Sequence, residues 1–580
     1  MREESEVFWR MRTRRVRGVD AWNLVRGMVL LLACALLATG CATAVAYRAP
    51  MAGPQTPCVT PAPERDLVVG VALSGGGSRA ALFGASGLEA LAQVRAPGGA
   101  SVLDQVTHLS SVSGGSVAAS YYAVKKPSKE TAVLGPNGAL TEDYKTFFAD
   151  YKNTVSQDFE RALLWRQIGS FRWILNPALA ALSLTELFTE RLLGPVTFGD
   201  LSAREARGDS PRLIINTTLY NNGRRLAMTT LPSETFRYDF FQDLHQSQAK
   251  RGKSAEYPPI LKQRWESILP LTPLDLKFDL CPVKVAAAVT GSASFPPVVG
   301  PITVGVGDGD QYWHIGDGGL YENSGTESLL IAFLKQMQAK KARRALIIAF
   351  DSSFPFSVGY RKLTKRPEPW TLGSYEFSRI SGIMEERAAA YMGLFYRSMQ
   401  IEGVFPDNQT MRVIFLRHTD AKWKEDLSDL PQVCREESPP LDSPTAVVER
   451  IAEIPTRFKF VSECDRQLLM TAARRRKALH AEAFGSEDKP IGKVAGFLKT
   501  TVIAGFFIRL RQGTLQLAAE RISLRQRLRP PIKWRGDRGV ARRAKTGGFG
   551  GVPLGFATDA PRGSAGSFTI SNHHTIMMPS

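Results

Sequence analysis

Cysteine and histidine are scarce in this chain, at six and seven of 580 residues. No two cysteines have the spacing of a metal-ligand pair, which argues against a zinc module. Long apolar runs are missing as well. Met28–Ala38 and Val494–Ile508 (interrupted by Lys499) both fall short of the roughly 20 residues that cross a bilayer as a helix. The glycine turn at Ser74–Arg79 lacks the Gly-Lys-Ser/Thr of a phosphate loop and the glycine spacing of a dinucleotide fingerprint, and the sequence has no RNA-binding aromatic motif and no internal repeat. What remains is a globular balance, 44% hydrophobic and 22% charged, long enough for one large domain with extensions or for two or three ordinary ones.

Acidic residues are also in deficit, giving a net charge of +19. The excess sits at the ends. The tract from Arg509 to Lys545 carries +10 and residues 1–40 carry +3, leaving about +6 for residues 41–508. A body so nearly neutral is not a nucleic-acid-binding face, and no specific nucleic-acid partner is expected.

Arg10, Arg12, Arg14, Arg15, Arg17 and Arg26 precede the Met28–Ala38 run, which ends in Ala38-Thr39-Gly40-Cys41. A charged lead, a short apolar core and small residues before a cysteine resemble a bacterial lipobox. The usual leucine is Ala38 here, and Met11 offers a second start. The plainer alternatives are an uncleaved anchor or a chance cysteine. Residues 1–40 are therefore expected to be a lipoprotein signal peptide, with Cys41 lipidated. Ala42 follows, rather than the aspartate that resembles an inner-membrane retention signal. The expected location is thus the cell envelope, lipid-anchored at the outer membrane and facing the periplasm. Of the cysteines outside this segment, an exported chain can pair Cys434 with Cys464, although a buried free thiol suits each of Cys58, Cys281, Cys434 and Cys464 equally well.

Residues 41–65, rich in Pro and Ala, read as a tether. Leu67–Leu73 is a short apolar run ending in glycines, which predicts a buried strand, and Ala80–Val94 predicts a helix. Val106–Val112 and Ser116–Val124 repeat that pairing. Arg212–Thr217, Trp313–Ile315 and Ala345–Phe350 predict further strands. The alternation implies an α/β fold with a mainly parallel central sheet. Tyr144–Leu193 is helix-rich and holds Phe147, Phe148, Phe159, Trp165, Phe171, Trp173 and Phe188. It suits a helical layer over one side of the sheet better than a lid or membrane contact with Arg161, Arg166 and Arg172 near headgroups. Residues 486–580 form a basic, partly disordered extension.

Three glycine-bearing segments carry chemistry. Ser74-Gly75-Gly76-Gly77-Ser78-Arg79 stands between a strand and a helix, where glycines and a helix N-terminus direct N–H groups at a phosphate or an oxyanion. Ser111-Val112-Ser113-Gly114-Gly115 resembles the nucleophile elbow Gly-x-Ser-x-Gly, with Ser111 at the first glycine. Asp317-Gly318-Gly319 places an acid at a strand end; Asn323 and Ser324 can each cap the next helix, with Glu327 completing a capping box from Ser324. Taken singly, each also suits a structural turn.

In this order the three resemble the patatin-like phospholipase family, as does Ala286-Ala287-Ala288-Val289-Thr290-Gly291-Ser292-Ala293-Ser294-Phe295-Pro296-Pro297, with Asn216-Thr217-Thr218 at the strand before the substrate face. The likeness covers residues 66–485. It implies the family's three-layer fold with a helical insertion, a Ser113–Asp317 dyad of nucleophile and base, and an oxyanion-hole turn at Gly75, Gly76, Gly77 and Arg79. It also implies an acyl-ester hydrolase (phospholipase A, lysophospholipase or esterase) that takes membrane lipid as substrate and needs neither metal nor organic cofactor. Arg79 is left with two roles, bracing the turn or binding a lipid phosphate. Two alternatives stay open. One is a membrane-tethered scaffold of the same fold without turnover. The other is a Ser–His–Asp hydrolase, disfavoured because His418 and His480 lack a triad context and His314 reads as structural.

Overall fold

The computed structural model describes residues 26–30, 47–53 and 58–475, apart from 97, 171–178, 255, 297–298, 309–310, 354–374, 402–404, 406–407 and 439. The segment expected to be a signal peptide (but for residues 26–30), Cys41, Phe171, Trp173, His480 and residues 486–580 therefore lie outside the described residues.

Among the described residues nine strands make one sheet: β1 Tyr47–Ala49, β2 Leu67–Leu73, β3 Val106–Val112, β4 Arg212–Leu219, β5 Arg224–Thr229, β6 Ile302–Val306, β7 Tyr312–Asp317, β8 Arg344–Asp351 and β9 Thr410–Arg417. Their order is β1-β6-β7-β4-β3-β2-β8-β9, with β5 joining β4 off this path. The run β4-β3-β2-β8-β9 is parallel, whereas β7 is antiparallel to both β4 and β6.

The central strands alternate between two cores, because successive side chains of a strand face opposite sides of a sheet. Val69, Val71 and Leu73 enter one core, and Val68 and Ala72 the other. On β8, Leu346, Ile348 and Phe350 part from Ala345, Ile347 and Ala349 in the same way. A strand buried on both faces needs an unbroken apolar run, which Leu67–Leu73 supplies.

The helices are α1 Gly77–Ala92, α2 Gly114–Lys125, α3 Glu142–Val155, α4 Phe159–Ser170, α5 Leu179–Phe188, α6 Phe198–Arg207, α7 Phe240–Lys250, α8 Pro259–Ile268, α9 Val285–Ser292, α10 Thr326–Gln338, α11 Tyr375–Ile401, α12 Pro444–Glu453 and α13 Glu463–Arg475. Helices α1 to α5, α9, α12 and α13 fill the first core, and α10 dominates the second. Phe147, Phe148, Phe159 and Phe188 are buried in the first core, so the aromatic segment is a covering layer. Of the described aromatics named for that segment, Trp165 alone stays outside, 62% exposed.

The structure departs from the sequence-based expectations in three places. Residues 47–65 are not a free tether where they are described. Tyr47–Ala49 pairs with Val304–Val306, Thr60 N–H donates to Thr230 O, and Cys58 is bonded to Cys281. A three-residue edge strand leaves no periodicity to read. Second, the capping box is absent: Gly325 stands at the N-cap of α10, and Glu327 is drawn into a 2.9 Å ion pair with buried Arg225. Third, Cys58 and Cys281 form a disulfide across 223 positions that the sequence did not suggest, whereas Cys434–Cys464, across 30, is the pairing offered above.

Candidate active site

The strand register brings Ser113 and Asp317 together although they are 204 positions apart. Val112 at the end of β3 lies opposite Asn216 of β4, and Thr217 of β4 lies opposite Asp317. Because β7 runs antiparallel to β4, the acid arrives at this level from the opposite direction to the serine. The Ser113 hydroxyl lies near enough to Asp317 to help lower the pKa of its carboxyl.

Ser113 has φ 49° and ψ −118°, a backbone conformation that few non-glycine residues adopt. Such a turn presents the hydroxyl at the first turn of α2. Hydroxyl groups from several elements hold it there. Ser113 N–H donates to Ser292 Oγ at 2.9 Å, and Ser292 Oγ donates to Asn216 O at 2.6 Å. Ser116 Oγ lies 3.0 Å from Ser292 Oγ and 3.1 Å from Ser111 Oγ. Asn216 Nδ2 donates to Ser110 Oγ and Ser111 O, while Ser328 Oγ donates to Asn216 Oδ1. A fully satisfied buried network of this kind fixes one geometry. Gly114 is obligatory, because a Cβ there would overlap Gly77 O.

The glycine turn therefore touches the elbow. Gly76 and Gly77 have φ 133° and 56°. Gly75 N–H donates to Asn323 O, and Ser78 N–H donates to Arg457 O. The N–H groups of Gly76 and Gly77 have no hydrogen-bond partner among the described residues. They lie at the start of α1, where the helix dipole adds positive potential. Arg79 faces inward. It is 1% exposed, and its guanidinium donates to the carbonyls of Ser352 (2.6 Å), Ile454 (2.9 Å) and Ala452 (3.3 Å). Burial pushes its pKa down to about 10, against the pull of Asp351 and Glu385. Of the two roles open to it, these contacts favour bracing the turn, since the guanidinium is buried against carbonyls and offers no surface cation to a phosphate.

Asp317 is 2% exposed. Burial pushes its pKa up to about 7, opposed by a hydrogen bond from Gly319 N–H (2.7 Å) and by the nearby Ser113 hydroxyl. The site also contains groups that the sequence motifs do not place there: Asn323, expected as a helix cap, and Glu385. The Asn323 side chain lies between Gly75 and Gly319, and its Nδ2 donates to Glu385 Oε2 at 3.0 Å, a carboxylate on α11. The two described histidines considered for a triad lie elsewhere: His314 pairs with Thr303 on β6, and His418 meets Asp351 O.

No curated protein matches the chain. Among solved structures it resembles human GIVD cytosolic phospholipase A2, with 12% identity and a TM-score of 0.37, over 72% of this chain and 60% of that one. It also resembles VipD from Legionella pneumophila, with 14% identity and a TM-score of 0.21, over 50% and 51%. The aligned part spans less than two thirds of the human protein. The family model of the patatin-like phospholipases matches residues 71–330, which contain Gly75 to Arg79, Ser113 and Asp317. Over residues 71–330, then, this chain is similar to the patatin-like phospholipases.

Proposed function

We propose that this protein is a serine acyl-ester hydrolase acting on membrane lipid, with Ser113 as nucleophile and Asp317 as its base. The observation that carries the proposal is that the strand register brings a serine on a strained elbow and a buried carboxyl to one level of the sheet, beside a turn with two N–H groups unpartnered among the described residues. An ordinary aspartate, with a pKa of about 3.9, is a poor base for an alcohol. Burial lifts Asp317 to about 7, so its carboxylate holds a proton far better at neutral pH.

In this mechanism Ser113 Oγ bonds to the ester carbonyl carbon as its proton passes to Asp317. The carbonyl oxygen, now an anion, is received by the N–H groups of Gly76 and Gly77. One such donor is worth about 3 kcal/mol in the transition state. The C–O bond to the leaving alcohol then breaks, the alcohol takes the proton from Asp317, and an acyl-serine remains. Water attacks the acyl-serine with Asp317 again as base, releasing the fatty acid and restoring the hydroxyl. Reactivity should rise with pH through a midpoint of about 7, where Asp317 ionises.

Export and lipidation at Cys41, with residence at the outer membrane facing the periplasm, belong to the same proposal. The two disulfides support it, because such bonds persist in oxidising compartments.

A fluorophosphonate probe should label Ser113 on the full chain, and Ser113→Ala should lose the label. Label mapped to another residue would sink the dyad. Palmitate-analogue labelling that survives Cys41→Ser would place the lipid elsewhere.

A further inference from the structure

Helix α4 turns a coherent outer face to solvent. Arg161, Leu164, Trp165 and Ile168 recur at the spacing of one helical face and all four are exposed. Leu163 and Gln167 point into the protein instead. Beside this face is a cleft of about 360 Å³, lined by Asp158, Arg161, Trp165, Arg166, Leu187 and Arg191. A tryptophan that stays outside while its aromatic neighbours are buried is poorly explained as packing.

The cations of this surface are balanced by acids. Arg166 is paired with Glu190 at 2.7 Å and with Glu186 at 3.8 Å. Arg457 is paired with Glu160, and Asp158, whose Oδ1 accepts the backbone N–H of Arg161, adds a further carboxylate. With Arg191, four arginines thus stand among four acids, and the surface has no net charge to attract an anionic partner. It instead offers guanidinium groups for a phosphate, and an acid beside an indole ring for an ammonium group.

The face is also joined to the candidate active site. Glu160, in the first turn of α4, donates its N–H to Phe458 O at 2.8 Å. The preceding carbonyl, Arg457 O, accepts Ser78 N–H from the glycine turn. One chain segment therefore touches both the α4 face and the turn beside Ser113, and the same segment carries Phe460, 66% exposed.

We propose that the outer face of α4, with its cleft, is a docking surface for a zwitterionic phospholipid bilayer. Trp165, Leu164 and Ile168 enter the acyl boundary, and the cleft holds a headgroup by both of its charges. The inference builds on the lipid-hydrolase proposal, but its test does not depend on turnover.

The full chain carrying Ser113→Ala and Cys41→Ser should co-float with phosphatidylcholine vesicles. Neutral vesicles are chosen because the basic tract at 509–545 would bind anionic ones by charge alone. Trp165→Ala combined with Ile168→Ser should lower the partition by about tenfold or more. Arg161→Ala with Arg191→Ala should lower it by about threefold to tenfold. Ile260→Ser on α8, another exposed apolar residue, is the control and should change nothing. Partition indifferent to Trp165 and Ile168 would overturn the proposal. So would binding confined to anionic vesicles and abolished by salt, or a self-association lost in these variants while vesicle binding persists.

Discussion

Two strand-to-helix turns meet at the candidate site, and they are built in opposite ways. The turn after β3 is crowded with side-chain hydroxyls: Ser110, Ser111, Ser116, Ser292 and Ser328, gathered around Asn216, leave little freedom near Ser113. The turn after β2 has almost no side chains, keeps two amides without partners, and is braced from within by Arg79. A nucleophile needs its own oxygen held at one point, so the scaffold surrounds it with donors and acceptors. An anion-receiving turn needs donors that nothing else occupies, so the scaffold holds its far side and leaves the near side bare.

The contrast can be broken at either turn. Ser113→Ala removes the reacting atom and should lower turnover of a soluble ester by about 10³-fold or more, with the melting temperature little changed. Gly77→Ala attacks the other turn without touching a reacting side chain. Its Cβ would overlap Thr456 O, and a residue at φ 56° is strained as well. Turnover should fall by about 10²-fold, comparable to losing one oxyanion donor. Turnover near the parent level would mean that these amides receive no charge.

Bracing should cost less in rate and more in stability. Arg79→Met strips donors from three buried carbonyls and should cost about 2–4 kcal/mol, read as a lower denaturation midpoint in urea. Ser292→Ala removes one hydroxyl that accepts from Ser113 N–H and donates to Asn216 O, and should cost about 1–2 kcal/mol with a smaller loss of rate. If Arg79→Met kept its stability but bound vesicles less well, the guanidinium would be reaching lipid after all.

The sequence made the two turns legible to different depths. Glycine clusters after apolar runs disclosed their positions, because tight turns and buried strands leave local patterns. Asp317-Gly318-Gly319 was legible for the same reason. What holds the turns was not. Ser292 and Ser328 are ordinary small residues until the register of β3, β4 and β7 brings them round Asn216. Arg79 invited a reading as a surface cation, because nothing local says that its partners lie near residues 352 and 452–454. Residues 47–49 and 304–306 pair with each other across the whole domain, so neither short strand could be read alone. The local spacing makes Glu327 a cap, but it is the partner of Arg225, a contact 102 positions away overriding a local one.

The smallest expected effect separates the two components of the dyad from each other. Asp317 titrates at about 7 in the folded chain and near 3.9 when unfolded. Between those values the folded state holds a proton that the unfolded state has released. Stability from this group is therefore fully present below about pH 4, is lost as the pH rises towards 7, and changes little above that. The neutral amide introduced by Asp317→Asn would stand in for the protonated carboxyl at every pH while still accepting the Gly319 N–H. Asp317→Asn should thus match the parent in melting temperature near pH 4 and exceed it by a few degrees, roughly, at pH 8. Glu205 and Glu327 are also pushed up to about 7, so the parent alone would show a composite slope, and only the difference between the two chains isolates Asp317. A parent more stable than Asp317→Asn at pH 8 would mean that the carboxylate ionises readily in place. Asp317 would then be a weaker base than the mechanism needs, and more of the work would fall to the amides of Gly76 and Gly77.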